Sequence, residues 1–266
     1  MQRLPAVAGR FYPDDPDDLA REVDRYIGPS PSDEPAIALI GPHAGYMYSG
    51  SIAGEVYASA RVPDVVVVLA PNHAAVGARA AVQTTGHWHI PGAKVPIAEN
   101  EAQTLQGLAL LTEDPRAHAH EHSLEVHLPF LVRRNPDVRI VPVSLSFMPY
   151  AACARIGTAL ADLVTQHGRD VLIVASTDMS HYLPADVASS EDRLALDRIG
   201  ALDPEGLYRT VVERDISMCG IIPTTVALVA AGALGAQTAR LIRYGSSGDA
   251  SGDYSRVVGY AGFVIR

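Results

Sequence analysis

Three histidines stand at matching places in this chain of 266 residues. His43 follows the apolar run 36–40 and Gly41-Pro42. His73 follows Val65-Val66-Val67-Val68-Leu69-Ala70 and Pro71-Asn72, and His181 follows the run 171–175 and Ser176-Thr177-Asp178-Met179-Ser180. Short continuous apolar runs of this kind predict strands buried on both faces. Open α/β sheets build their sites just past the carboxyl ends of such strands. Imidazole is both a neutral metal ligand and the side chain suited to moving protons near neutral pH. The three histidines therefore outline a metal or acid–base centre.

Cys219 extends the set. It lies in Ser217-Met218-Cys219-Gly220, at a predicted helix start, where the helix N-terminus is expected to lower the thiol pKa and favour thiolate. Two neutral imidazoles and one thiolate make a three-ligand set with open positions, soft enough to select iron, copper or zinc over magnesium or calcium. Cys153, in an alanine-rich helix, reads instead as a small buried apolar residue. In Glu121-His122-Ser123-Leu124-Glu125-Val126-His127, His122 and Glu125 would share a helix face. The stretch has no second copy and lacks both zinc-protease spacings, so it is expected to hold ligand histidines by hydrogen bonds. Trp88, Tyr46 and Tyr48 are expected to wall the pocket.

These residues need a scaffold, and the pattern supplies one. Helices are predicted over 14–27, 50–60, 99–111, 121–131, 151–166, 187–200, 203–214 and 224–231, with further strands at 80–83, 139–143, 239–244 and 257–265. The small residues of 50–60 are expected to let that helix approach the sheet closely. The arm 1–13 is expected to be pinned to the body by Phe11 and Tyr12. Strands alternating with helices predict one α/β domain, 1–266, with a central mixed sheet flanked by helices. The sheet must be mixed because the last two strands are joined too closely for a parallel crossover.

Composition narrows the function classes. A net charge of −9 argues against a nucleic-acid partner, which a basic face would attract. No apolar run approaches the length of a membrane span, and the N-terminus lacks a signal-peptide layout. With two cysteines in 266 residues, reduced thiols in a cytoplasmic protein are the expectation. The sequence carries no dinucleotide glycine fingerprint, no phosphate-binding loop and no Cys-x-x-Cys pair, and Gly245-Ser246-Ser247-Gly248 lacks the spacing of a nucleophile elbow.

Gly41-Pro42-His43-Ala44-Gly45-Tyr46, Pro71-Asn72-His73, the stretch 121–129, Ser176-Thr177-Asp178-Met179-Ser180-His181, Cys219-Gly220 and the tail 247–260 together resemble the Memo family. Its prokaryotic members are labelled protein B of the AmmeMemoRadiSam system. The resemblance runs in order from about Pro5 to the C-terminus. It implies the fold of class III extradiol ring-cleavage dioxygenases, in which two histidines and a glutamate hold non-haem iron. Carried across, His43 and His73 take the two histidine positions, Cys219 stands where those enzymes have glutamate, and His181 stands at the acid–base histidine. Asp178 becomes a candidate to orient His181 or to act as a second acid. A thiolate in place of a carboxylate changes the metal's donor set, so ring cleavage is not inherited with the fold.

The resemblance implies an iron- or copper-dependent oxidoreductase, dioxygenase-like, acting on an unknown small molecule or peptide. A zinc hydrolase uses a comparable ligand set. A second class is a non-enzymatic adaptor that receives a peptide in the same pocket, as eukaryotic relatives are described. A third is a partner of a radical SAM enzyme and an AMMECR1-like protein.

Overall fold

The computed structural model describes residues 2–266 apart from Leu110 and Arg169. In chain order the strands are β1 (Gln2–Arg3), β2 (Ala38–Gly41), β3 (Val65–Pro71), β4 (Ala80–Val82), β5 (His87–Ile90), β6 (Ala93–Pro96), β7 (Thr112–Glu113), β8 (Arg139–Leu145), β9 (Val171–Ser176), β10 (His181–Leu183), β11 (Ala239–Ser246) and β12 (Val257–Ile265). The helices are α1 (Pro16–Ile27), α2 (Tyr46–Ala58), α3 (Glu99–Leu108), α4 (His122–Glu125), α5 (Leu128–Arg134), α6 (Tyr150–Gln166), α7 (Ala185–Gly200), α8 (Pro204–Glu213), α9 (Ile221–Ala233) and α10 (Gly248–Ser251). The expected helix 99–111 ends at Leu108, and its residue Leu110 lies outside the described residues, as does Met1 of the expected arm.

The heart of the molecule is four parallel strands in the order β2-β9-β3-β8. Every residue of β2, β3 and β9 is buried, which is why their sequences run apolar without alternation. The register sets Gly41 beside Ser176 and Leu69 beside both Ala175 and Val143, so the three central strands end at one level. Antiparallel β12 joins β2 on one side and antiparallel β4 joins β8 on the other. The sheet is mixed, and β11 pairs antiparallel with β12 as their short connection requires. A second sheet of order β1-β5-β6 ties the N-terminal arm to the hairpin 87–96.

On one face α2 packs against β2 and β12 with α1 and α5 beside it, and on the other α9 packs against β3 and β9 with α6 and α8. The glycines of α2 do not serve its approach to the sheet, as the small-residue pattern suggested. Gly50 and Gly54 face Tyr26 of α1, and a Cβ on Gly54 would fall 2.5 Å from the Tyr26 carbonyl. Glycine there seats helix on helix.

The expected single helix 121–131 is two short ones, α4 and α5. Pro129 has no N–H to give the Glu125 carbonyl and its ring crowds that group, so the first helix stops and Pro129 opens the second. Among the described residues no helix is long and apolar enough to cross a membrane.

Candidate metal centre

The three central strand ends deliver their polar residues to one place. His43 comes off β2 after Pro42, with its backbone N–H donated to Asp178 Oδ1 (2.8 Å). Its ring Nδ1 meets Ser176 Oγ at 2.7 Å, and that hydroxyl donates to the Ser123 carbonyl (2.7 Å). A hydroxyl that has already given its one hydrogen must accept here. Nδ1 therefore carries the proton and Nε2 keeps its lone pair. Burial and the neighbouring histidines hold His43 far below its ordinary pKa, so the ring is neutral.

His73, past the end of β3, is set by one carboxylate. Its backbone N–H donates to Glu121 Oε2 (2.7 Å) and its Nδ1–H to Oε1 (2.9 Å), which again leaves Nε2 free. Burial pushes Glu121 up, but the His73 contact and two hydrogen bonds from Ser123 outweigh it and hold the carboxyl at about 2. The same Oε1 lies 3.4 Å from Nδ1 of His122, whose ring stacks on His73 at 4.8 Å between centroids. A carboxylate behind an imidazole fixes its tautomer and orientation, the arrangement that supports metal-ligating histidines.

His43, His73 and His122 form the group whose ligand atoms lie within 4.8 Å of one another. The ring of His122 thus joins the centre that the sequence reading assigned it only to support. The other carboxylate of that stretch, Glu125, shares the single turn of α4 with His122, but its partners lie in the N-terminal arm. It accepts from Arg3 Nη1 (2.6 Å), the backbone N–H groups of Ala6 (2.8 Å) and Val7 (3.1 Å), and the Tyr12 hydroxyl. His127 is a core residue that shares a 3.0 Å hydrogen bond with Tyr57.

Cys219 reaches the centre from the other side of the sheet's end. Its Sγ lies 3.2 Å from His43 Nε2 and accepts the Asp178 backbone N–H at 3.2 Å. Gly220 makes this approach possible, since a Cβ there would fall 2.2 Å from the Ser176 carbonyl oxygen and 2.3 Å from Thr177 Cβ. The helix-start argument predicted a lowered thiol pKa. Burial, with the Asp178 charge, pushes it up instead. Both cysteines are free, and burial likewise raises Cys153, to about 11.

His181 opens β10, donating Nδ1–H to the Ser217 carbonyl (2.9 Å) and its backbone N–H to Ser217 Oγ (2.8 Å). Its Nε2 is the acceptor. Asp178 was a candidate to orient it, but Ser217 does so, and Asp178 faces His43, with Oδ2 3.8 Å from Nε2. Burial pushes the Asp178 carboxyl up to about 7 against its hydrogen bonds from His43 and Ala44. Two of the expected pocket walls are core residues. Trp88 is fully buried, donating to Gln83 Oε1 (3.0 Å) beneath the Arg3 guanidinium, and buried Tyr46 donates to the Val126 carbonyl (2.7 Å). Tyr48 is partly exposed.

No ordinary spacing rule would have found His122 as a member of the cluster. The available signal was Glu121 itself: a carboxylate at the N-cap of a one-turn helix, beside a histidine on its first turn.

Comparison with known proteins places the chain. A family model described as Memo-like protein matches residues 3–264. A MEMO1 family protein of Methanopyrus kandleri is 40% identical, over 100% of this chain and 99% of its own. One from Aquifex aeolicus is 38% identical, over 99% and 98% respectively. Among solved structures, an uncharacterized protein from Escherichia coli K12 superposes with a TM-score of 0.56 at 18% identity, covering 84% of this chain and 98% of that one. At that identity the likeness speaks for the fold, which accords with the class III extradiol dioxygenase-like architecture implied by the motifs. With a family match from end to end and the motif residues gathered at one sheet end, the chain belongs to the Memo family.

Proposed function

We propose that this protein is a metal-dependent oxidoreductase whose mononuclear iron or copper ion is held by His43, His73 and Cys219, with His122 beside them. The observation that carries the reading is the shared orientation of His43 and His73. Each gives its Nδ1 proton to a buried oxygen and turns an unprotonated Nε2 inward. That is the preparation a metal site needs, and it occurs at the ends of two strands, β2 and β3, that flank β9. Cys219 supplies a soft donor 3.2 Å from His43 Nε2 once its thiol proton leaves, and zinc remains compatible with the same set.

Bound there, the ion would supply redox and Lewis-acid chemistry. The chain's own residues do the rest. His181, fixed through Nδ1 by Ser217, offers Nε2 to take a proton from a bound molecule or return it. Asp178, its carboxyl titrating at about 7, exchanges a proton near neutral pH beside His43. Glu121 keeps His73 in its ligand tautomer. Partnership with a radical SAM enzyme and an AMMECR1-like protein fits a processing role for such a centre.

The test is elemental analysis with electron paramagnetic resonance on protein prepared without oxygen. Wild type is expected to hold about one equivalent of metal, and His43→Ala to lose it. Equal metal in the two would refute the ligand assignment. His181→Ala is expected to keep the metal and lose turnover.

A further inference from the structure

Beside the histidines the molecule opens a cleft of about 600 Å³, well within the range of small-molecule sites. Its floor is the carboxyl ends of β3 and β8, where Pro71 pairs with Leu145. Its far wall is the turn from α8 into α9. His73 and Cys219 stand at its inner end, and the rest of its lining is dominated by Phe147, Val211, Val212, Ile216, Met218 and Ile222. The mouth keeps this character. Phe147 is 61% exposed and Val212 44%, and Val76 beside the lining residue Ala75 is 48% exposed. Large apolar side chains left in water around an opening mark a binding surface.

The charge of the lining is equally informative. It contains no lysine and no arginine, and its one carboxylate is Asp215. Apart from His73 and the proposed ion, no cationic side chain there would replace the water around a phosphate or carboxylate, and Asp215 repels either. Both Ala75 and Asp215 have left-handed backbone, with φ of 50° and 53°, a conformation uncommon outside glycine that concentrates at ligand clamps.

From this we infer that the cleft is the substrate pocket, and that it takes an uncharged small molecule whose apolar body lies along the α8–α9 wall with a polar head at His73 and Cys219. The inference rests on the reading of the histidine cluster as the reacting centre. It narrows the substrate class to molecules whose body beyond the head is apolar, and without the ion the cleft turns away acidic and phosphorylated ligands.

The test uses metal-stripped protein and N-phenyl-1-naphthylamine, a neutral dye that fluoresces in apolar surroundings, displaced by decanol or by decyl phosphate. Saturable one-site binding is expected, with decanol competing at least roughly tenfold better than decyl phosphate. Val212→Asp and Phe147→Asp, both at exposed positions where folding tolerates change, are expected to weaken dye binding roughly tenfold, and Val187→Asp, outside the cleft, to leave it unchanged. Equal or better competition by decyl phosphate would overturn the inference, as would dye binding indifferent to both cleft substitutions. Metal uptake measured on the same preparations separates the two readings. Wild type that binds dye and decanol as expected but takes up no metal would sink the metal centre and leave the pocket standing.

Discussion

Glu121 and Glu125 sit four residues apart at the two ends of one helical turn, both almost wholly buried, yet they belong to different machines. Glu121 spends its oxygens on His73, His122 and Ser123, groups whose orientation matters to the centre. Glu125 takes Arg3, Tyr12 and two backbone N–H groups, and so binds the N-terminal arm to the body. The difference lies in the partners. A buried carboxylate matched by a fixed cation is structural cement, whereas one matched by neutral imidazoles sets tautomers.

The comparison can be broken by exchanging the outcomes. Glu125→Ala leaves the Arg3 guanidinium buried without its partner and should cost about 3–5 kcal/mol in urea denaturation. Protein that remains folded should still take up metal. Glu121→Gln should reverse the balance, lowering metal affinity about 10–100-fold by calorimetric titration while the fold persists. An equal loss of metal in both variants would erase the distinction.

The same Glu121→Gln pair sharpens it through pH. The folded carboxyl sits at about 2 against an unfolded value of about 4.5. A depressed carboxyl stabilises the fold above its unfolded pKa, and that contribution is lost as pH falls from about 4.5 through about 2. In metal-stripped protein the stability advantage of wild type over the variant should therefore be full at pH 6 and fade across that window. A constant gap down to pH 2 would show that folding does not depress the Glu121 carboxyl. The smallest effect is expected at Tyr57→Phe, which removes the hydroxyl that bonds His127. It should cost about 0.5–1.5 kcal/mol and leave metal uptake unchanged, because His127 belongs to the core.

The scaffold was readable because burial writes itself into composition. The unbroken apolar runs of β2, β3 and β9 announced strands covered on both faces, and their histidines fell at adjacent carboxyl ends as expected. The Memo-family motifs were legible for the same reason of position. What the chain concealed was direction. His122 and Glu125 do lie together on the one turn of α4, but each side chain found its own partner. Cys219 stood at a helix start, and no local rule foretold that packing against β9 would outweigh it. Trp88 was expected to wall the pocket, but it is fully buried, and the Arg3 guanidinium that covers it lies 85 positions away in sequence.

Arg3 has a consequence for handling the protein. Its Nε donates to the His118 carbonyl and its Nη2 to the Glu121 carbonyl, both at 2.7 Å, so the arm reaches the backbone of the residue that orients His73. A protease that clipped the chain after Tyr12 would remove both braces along with Phe11, whose ring rests against His122. Affinity tags and surface attachments are therefore better carried at the other terminus, and the intact mass of a preparation is worth checking before its metal content is read.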